Sequence, residues 1–267
     1  MLIDLVMWTL NSEKTLFKCL ESIDKAIPSE VVNQKIIVDA HSKDRTVEIA
    51  QKFGWDVYPA QKIGIPFQAN QGLKKVRTKF FASFEHDIIL SPQWLGKVQK
   101  FVSIPNVAII QGIRLSTHPI MRKIETYAYK RRGRPHISLD NTLYRTEVLR
   151  KIGGFSEECP SSVDLELFDR LSKQGYKWIT DHTIISNHLK ENLRAIGEHN
   201  YQLALKSKHE NRFQQWNLRF QLALFLFSFF RSISIIVETL DPRIMYAYPY
   251  IRFCVLKATV QKGKKRE

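Results

Sequence analysis

The sequence predicts an α/β protein in which a mainly parallel sheet is covered by helices on both faces. Over the first ninety residues, short apolar runs of strand length alternate with segments of helical periodicity. This alternation is typical of right-handed strand–helix–strand crossovers, which bury a parallel sheet between two layers of helices. The composition changes after residue 190, where long apolar and basic segments predict a separate helical extension.

The first predicted strand, 2–10, is almost entirely apolar, and an amphipathic helix over 11–27 follows it. Within this helix, Leu16, Leu20 and Ile23 recur at intervals of three and four residues, which places them on one face. The next elements repeat the pattern as strand, helix, strand, helix and strand, over 35–40, 46–54, 55–60, 66–77 and 79–86. Together they form the first half of the predicted sheet.

The pattern is looser in the following hundred residues. Helices are predicted over 92–103, 119–132 and 162–176, and strands over 107–113 and 176–189. We therefore divide the chain into one domain over 1–190, with halves 1–90 and 91–190, and a helical extension over 191–267.

Charge is unevenly distributed along the chain of 267 residues. It carries 41 Lys and Arg side chains against 26 Asp and Glu, a formal net charge of +15. Residues 118–267 hold 26 of these basic and 15 of these acidic side chains, so most of the excess lies in the C-terminal half. This asymmetry favours an anionic partner: phosphate groups, nucleic acid or a lipid surface.

Cysteine content and the N-terminal segment bear on the compartment. Cys19, Cys159 and Cys254 are too few and too scattered for a disulfide framework or a zinc site. A reducing compartment is therefore expected. The N-terminal MLIDLVMWTL has no basic n-region and no small-residue cleavage site, so we expect no signal peptide and a cytoplasmic location.

Polar side chains follow three of the predicted strands, at the point where each strand ends. They are Thr9 and Asn11, then Asp39 and Asp44, then Glu85 and Asp87. Because ligands of parallel sheets bind at the carboxyl ends of the strands, we expect these side chains to share one crevice. Each cluster has a second interpretation as ordinary turn residues, and Asp44 can cap the helix that follows it.

The pair Glu85 and Asp87 has a more specific chemical meaning. Two carboxylates one residue apart can hold Mg²⁺ or Mn²⁺ and leave coordination positions open for a substrate diphosphate. An acidic-X-acidic triplet alone is a weak signal, because exposed loops contain many.

Four segments in order resemble the family 2 inverting glycosyltransferases, which have the GT-A type, Rossmann-like nucleotide-sugar fold. The resemblance covers roughly residues 2–190. The segments are VMWTLNSEKTLFKCLESI (6–23), IIVDAHSKDRT (36–46), NQGLKKVRTKFFASFEHDIILSPQWL (70–95) and RTEVLRKIGGFSEE (145–158). They are similar to the family's opening strand and helix, its Val-Asp segment, its Asp-X-Asp motif and its Gly-Gly-Phe segment.

The resemblance implies a role for each matching residue. Thr9 and Asp39 would contact the nucleoside, and Asp44 would shape that pocket. Asp87 and His188 would bind the metal ion, Glu85 would take the position of the first acidic residue, and Asp164 would be the catalytic base. The remaining substrate contacts would come from Asn11, Lys62, Asn70 and Arg145.

The chain departs from the family pattern at several positions. Glu85 replaces an aspartate, Val163 stands where relatives often have Glu, and Gln68-Ala69-Asn70 replaces Ala-Arg-Asn. No Gln-X-X-Arg-Trp motif of processive synthases follows, so we expect transfer of a single sugar.

The apolar run 218–237 has the length of a membrane span, but Arg219 and Arg231 make a central span costly. We favour helices lying in the membrane interface, with Arg252 and the C-terminal lysines against anionic lipid. The alternatives are a buried helix and the interface of a homodimer.

The resulting hypothesis is a metal-dependent, inverting glycosyltransferase, peripheral on the inner face of the cell membrane. Its donor would be a nucleoside-diphosphate sugar, and its acceptor a polyprenyl phosphate, a lipid-linked glycan or a surface glycan. If the acceptor is a phosphate, the basic segment KRRGRPH (130–136) could bind it. One alternative is a soluble dimeric transferase acting on a protein or small molecule. The other is a nucleic-acid-binding protein, against which the acidic strand ends argue, so no nucleic-acid partner is expected.

Overall fold

The computed structural model describes residues 1–131, 137–159, 162–190, 192–206 and 218–264. Within these ranges, one mixed sheet contains eight strands. They are β1 (Ile3–Thr9), β2 (Val32–Asp39), β3 (Asp56–Pro59), β4 (Phe80–Phe84), β5 (Ile88–Ile89), β6 (Val107–Ser116), β7 (Asn141–Arg145) and β8 (Lys177–His188). Their order across the sheet is β3-β2-β1-β4-β7-β6-β8-β5.

The helices follow the predicted pattern over most of the chain. They are α1 (Glu13–Ala26), α2 (Thr46–Lys52), α3 (Ile65–Lys75), α4 (Trp94–Val98), α5 (Pro119–Arg131), α6 (Thr146–Lys151), α7 (Val163–Lys173), α8 (Leu193–Lys206), α9 (Leu218–Thr239) and α10 (Ile244–Lys264). The helix predicted over 92–103 is α4 followed by a 3-10 turn, Gln99–Phe101. Most of the basic segment 130–136 lies outside the described residues.

The first half of the sheet is parallel, as predicted. β1 pairs in parallel with both β2 and β4, and β2 pairs in parallel with β3. All seven residues of β1 are buried, because helices cover both faces. Leu5 and Met7 belong to the core cluster that contains Leu16 of α1, whereas Val6 belongs to the cluster that contains Leu73 of α3. Burial on both sides explains the continuous apolar run.

The second half of the sheet is antiparallel, so the expectation of a mainly parallel sheet holds only for β3-β2-β1-β4. β7 pairs antiparallel with β4 and β6, and β5 pairs antiparallel with β8. Strand β7 was not predicted, since its first residues, Asn141 and Thr142, are typical of a turn. Both are fully buried, and the Asn141 side-chain carbonyl accepts a hydrogen bond from the Gly112 amide at 2.9 Å. The buried hydrogen bond to Gly112 thus outweighs the preference of Asn141 for a turn.

The chain divides into two compact units. The first comprises Met1–Arg114 and Arg134–Leu189, and the second comprises Leu115–Gly133 and Lys190–Glu267. The change of unit at 189–190 coincides with the predicted boundary at 190, but the second unit also includes α5. Its core consists of Met121, Ile124, Tyr127, Ile196, Ile235, Ile244, Ala247 and Ile251.

Helix α9 of the second unit is long and apolar enough to cross a membrane by length and composition alone. Its buried residues are Gln221, Ser228, Ser232 and Ile235, of which three are polar. Its exposed residues include Phe227, Phe230 and Val237, at 60%, 69% and 73% exposure. The helix therefore buries a mainly polar stripe and exposes an apolar one.

Candidate active site

The carboxyl ends of β1 and β2 are tied together by one buried hydrogen bond. The Thr9 hydroxyl donates to Oδ1 of Asp39 at 2.8 Å, and the two residues face each other in the strand register. Asp39 also accepts hydrogen bonds from the backbone amide and the hydroxyl of Ser42, at 2.8 and 2.6 Å. Behind them, the Gln68 amide donates to the Thr9 and Val38 carbonyls at 3.2 and 2.9 Å. Gln68 therefore has a structural role, and the position of the family's arginine is taken by the buried Ala69.

The loops after β1 and β2 support one another. Asn11 has a φ of 49°, its side-chain oxygen accepts the Lys43 amide at 2.8 Å, and its own amide donates to the Ser42 hydroxyl at 2.8 Å. Asp44 accepts the backbone amides of Thr46 and Glu13, each at 3.1 Å. Burial alone would raise the pKa of Asp44, but hydrogen bonds from Thr46 and Glu13 outweigh it and lower that pKa. Its carboxylate thus joins the starts of α1 and α2.

Three potential metal ligands meet where β4, β5 and β8 come together. β4 ends at Phe84, immediately before Glu85, and Ile88 of β5 is paired with His188 of β8. This register brings Asp87 beside the end of β8, where its carbonyl accepts the Leu189 amide at 2.8 Å. One ligand atom from each of Glu85, Asp87 and His188 lies within 4.8 Å of the others. Nε2 of His188 is 2.9 Å from Oδ2 of Asp87.

The chemistry of these three side chains fits a divalent cation. Two carboxylates supply hard oxygen ligands, which suit Mn²⁺ and Mg²⁺, and the imidazole adds one nitrogen ligand. Glu85 and Asp87 are half-buried and His188 is buried, so the candidate site lies at the edge of the protein interior. The replacement of aspartate by Glu85 preserves the cluster.

A buried ion pair supports the cluster from behind. The guanidinium of Arg114, at the end of β6, donates to Oε2 of Glu85 at 3.0 Å and to Oδ2 of Asp140. Asp140 precedes β7 and has no solvent exposure, and among the described residues its Oδ1 has no hydrogen-bond partner. Its carbonyl accepts the Glu85 amide at 3.3 Å. Asp140 and Arg114 therefore hold Glu85 through both its backbone and its side chain.

Asp164 lies in the first turn of α7, partly buried and within electrostatic reach of this ion pair. Burial is the largest effect on its pKa and raises it, and the charge of Asp140 acts in the same direction. The Leu165 backbone amide, 2.9 Å from Oδ1, and the charge of Arg114 oppose this rise only in part. A carboxylate with a raised pKa is a stronger base, which suits a group that accepts a proton.

Two of the residues predicted to contact the substrate, Asn70 and Lys62, have other partners. Asn70 holds the Gly-Gly-Phe segment, since its amide exchanges hydrogen bonds with the backbone of Phe155 at 2.8 Å in both directions. At Gly154, where φ is 73°, an added Cβ would lie 2.5 Å from Oδ1 of Asn70, so this pairing needs glycine. The ammonium of the exposed Lys62 lies 3.6 Å from the centre of the Phe67 ring.

The structure places Arg145 away from Glu85. Because β7 runs antiparallel to β4, Arg145 is paired with Phe80 at the start of β4, whereas Glu85 follows the end of that strand. Its guanidinium donates to the carbonyls of Val107 and Val102 at 3.0 and 2.9 Å. Arg145 thus contacts the backbone near the start of β6, at the opposite end of β4 from Glu85.

Arg114 and Asp140 were not predicted as site residues. The run VAIIQGIRL (107–115) contains a signal for Arg114, because a single arginine follows seven mostly apolar residues of a strand and needs a partner there. Asp140 sits in the turn-like SLDNT (138–142), and only the pairing of β7 with β4 and β6 brings it to Arg114.

Comparison with known proteins identifies the family. The family model described as glycosyl transferase family 2 matches residues 4–153, more than half of the chain. No curated relative matches the sequence.

Solved structures share the fold at low sequence identity. A mannosyltransferase from Pyrobaculum calidifontis, PcManGT, in complex with GDP-Man and Mn²⁺, is 14% identical with a TM-score of 0.60, covering 98% of this chain and 74% of that one. TarS from S. aureus in complex with UDP is 16% identical with a TM-score of 0.55, covering 100% and 92%. Glucosyl-3-phosphoglycerate synthase from Mycobacterium tuberculosis, in complex with Mn²⁺, UDP and glucosyl-3-phosphoglycerate, is 15% identical with a TM-score of 0.54, covering 76% of this chain and 77% of that one.

These likenesses agree with the mixed sheet and with a candidate metal site at the ends of β4 and β8. The resemblance seen in the four sequence segments is confirmed: the protein is a glycosyltransferase with the GT-A fold and belongs to glycosyl transferase family 2.

Proposed function

We propose that the protein transfers one sugar from a nucleoside-diphosphate sugar, with inversion at the anomeric carbon, to an acceptor at a membrane surface. The observation that carries this proposal is the convergence of Glu85, Asp87 and His188 beside the Arg114–Asp140 pair, within electrostatic reach of Asp164. A divalent cation, an anionic leaving group and a general base are the three requirements of such a transfer.

The donor side of the proposal rests on the parallel half of the sheet. Thr9 and Asp39 end neighbouring strands at the edge that also carries Glu85, as ligands of open α/β sheets require. The structural neighbours were solved with GDP-Man and Mn²⁺ and with UDP. By analogy, we assign the nucleoside to the Thr9–Asp39 end and the diphosphate to the Asp87 end.

The cation would be held by Asp87 and His188, with Glu85 as the third ligand. When bound, it would offset the negative charge that develops on the leaving diphosphate. Nε2 of His188 lies 2.9 Å from Oδ2 of Asp87, so a cation that contacts both atoms would replace the hydrogen bond between them. Arg114 restrains Glu85 and adds a positive charge next to it.

Asp164 would accept the proton of the acceptor hydroxyl as the new glycosidic bond forms on the face opposite the leaving group. Burial raises the pKa of Asp164, which makes it a better base than an exposed aspartate, and the charge of Arg114 opposes part of this rise. An acceptor phosphate would already be anionic and would not need this base.

The membrane part of the proposal is carried by α9. A helix that buries Gln221, Ser228 and Ser232 while exposing phenylalanines has the reverse of the pattern expected in water. The same unit carries many of the basic side chains of the C-terminal half, which are attracted to anionic lipid. We infer that the apolar side of α9 enters the lipid interface of the inner face of the cell membrane, where lipid-linked acceptors are available.

A thermal-shift screen of nucleoside diphosphates, with and without Mn²⁺, tests the proposed activity. A bound ligand raises the apparent stability of the native state by mass action. We expect at least one nucleoside diphosphate to raise the melting temperature only when Mn²⁺ is present. A screen in which no nucleotide does so would contradict the donor assignment.

A further inference from the structure

Two neighbouring surface cavities lie between α8 and α10 of the second unit. Their volumes are about 240 and 530 Å³, and Arg194 and Tyr250 line both of them. The larger cavity is completed by Asn192, Leu193 and Tyr246. Among the residues that the structure describes, Arg194 is the only charged side chain that lines it.

Arg194 has no ion pair within the part of the chain that the structure describes. The carboxylate nearest in sequence on the same helix, Glu198, instead accepts a hydrogen bond from the Gln202 amide at 2.7 Å. A guanidinium has five N–H donors and favours phosphate as a bidentate partner. The larger cavity therefore presents a guanidinium that pairs with no described carboxylate, while Glu198 lines the smaller cavity.

The walls of this cavity are built from two tyrosines. The rings of Tyr246 and Tyr250 are stacked, with centroids 5.7 Å apart at an interplanar angle of 18°. A Cβ at Gly197 of α8 would lie 2.7 Å from the ring of Tyr250, so glycine permits the close approach of α8 to this ring. Tyr246 is 68% exposed. Exposed tyrosines beside a cation are typical of the headgroup level of a membrane.

The cavities are continuous with the apolar surface of α9. Phe253 lines the smaller cavity, and its ring centroid lies 6.0 Å from that of Phe225 on α9. Phe225 in turn contacts Phe229, which is exposed. A molecule with its phosphate at Arg194 would find an apolar path from Phe253 onto α9.

We propose that Arg194 binds the phosphate of an anionic membrane phospholipid in the cavity formed with Tyr246 and Tyr250. The acyl chains would lie along Phe253 and the exposed side of α9. The proposal rests on the membrane association inferred above and adds a defined headgroup site to it. A general attraction of basic residues to an anionic surface would give no such site.

The test uses the full chain and a short-chain phospholipid, dihexanoyl phosphatidylglycerol, held below its critical micelle concentration. Binding is measured by calorimetry for the wild type, Arg194→Gln, Arg194→Lys and the control Arg219→Gln, which removes the same charge from a residue lining neither cavity. Inorganic phosphate is titrated in parallel. Thermal melting of each variant verifies that it folds.

We expect Arg194→Gln to weaken phospholipid binding roughly tenfold or more, since it removes charge-assisted hydrogen bonds. Arg194→Lys should recover only part of the affinity, and Arg219→Gln should stay close to the wild type. Equal binding by the wild type and Arg194→Gln would overturn the proposal, and so would equal affinity for inorganic phosphate and phospholipid. Flotation on neutral phosphatidylcholine vesicles tests membrane association separately, so flotation without phospholipid binding would refute only the headgroup site.

Discussion

The imidazole of His188 lies 2.9 Å from the carboxylate of Asp87, although 101 positions separate the two residues in the sequence. The contact depends on the antiparallel pairing of β5 with β8, which places Ile88 opposite His188. This contact joins Asp87, which follows β4, to β8, the last strand along the chain. The catalytic proposal depends on this junction.

Asp164→Asn should retain nucleotide binding and lose transfer to a hydroxyl acceptor. The amide is nearly isosteric with the carboxylate but cannot accept the proton, and removal of a general base typically slows a reaction by about 10²–10⁴-fold. Steady-state transfer rates measure the loss. The control is Asp169→Asn on the same helix, where the carboxylate forms a surface ion pair with Lys173. An unchanged rate in Asp164→Asn would mean that the acceptor is already anionic or that another group is the base.

The pH dependence should carry the signature of the same residue. Because Asp164 must be ionised to act as a base, and its pKa is raised, kcat/KM should rise with pH through an acidic limb above the ordinary aspartate value of 3.8. This limb should be absent from the residual activity of Asp164→Asn. An identical limb in the variant would assign the titration to a different group.

The raised pKa of Asp164 also predicts how stability depends on pH. A carboxyl group with a raised pKa holds its proton more tightly in the folded than in the unfolded state. Its contribution to stability is therefore present at low pH and is lost as the pH rises through the folded-state pKa. Relative to Asp164→Asn, the wild type should lose stability as the pH rises above the ordinary aspartate pKa of 3.8. Urea unfolding at several pH values measures this difference, and parallel curves would contradict the raised pKa.

Arg114→Met should destabilise the fold, because it leaves the buried carboxylate of Asp140 without its cation. Breaking a buried ion pair from one side costs about 3 kcal/mol. The double variant Arg114→Met with Asp140→Asn should recover part of this loss, since it removes the unpaired charge. Arg45→Met, which breaks an exposed pair with Glu48, should leave the unfolding midpoint unchanged. If Arg114→Met is as stable as the wild type, the Arg114–Asp140 ion pair does not stabilise the fold around Glu85.

The apolar side of α9 should drive membrane association. Replacing Phe227, Phe230 and Val237 by serine removes exposed apolar surface without touching the core, so the variant should fold and bind vesicles roughly 100-fold or more weakly. Vesicle flotation is the measurement, with Leu10, Phe17 and Ile63, exposed in the first unit, replaced as the matched control. If the wild type does not float and the variant converts a dimer to a monomer, the surface is a subunit interface and the membrane proposal is wrong.

The sequence predicted what local patterns encode. The spacing of Leu16, Leu20 and Ile23 defines α1, and the uninterrupted apolar run of β1 indicates a strand buried on both faces. The acidic pair after β4 was recognisable as a candidate metal site, because Glu85 and Asp87 lie two positions apart in the sequence. These signals need no knowledge of the partner strand.

Non-local pairing explains what the sequence did not predict. Polar residues such as Asn141 are typical of a turn, and it is β6 that supplies the buried hydrogen-bond partner of the Asn141 side chain. The sequence therefore gives no sign of β7. The antiparallel direction of β7 then brings Asp140 to Arg114 and takes Arg145 to the opposite edge of the sheet. The role of Asn70 was likewise hidden, since its partner Phe155 lies 85 residues away.

Calorimetric titration of a nucleoside diphosphate, the one selected by the thermal-shift screen, would decide whether this site works as a metal-dependent donor site. We predict binding by the wild type only when Mn²⁺ is present, loss of that binding in Asp87→Asn, and no change in Asp56→Asn, whose carboxylate is exposed at the start of β3. Binding of equal strength without Mn²⁺, or in Asp87→Asn, would contradict the assignment of the Glu85–Asp87–His188 cluster.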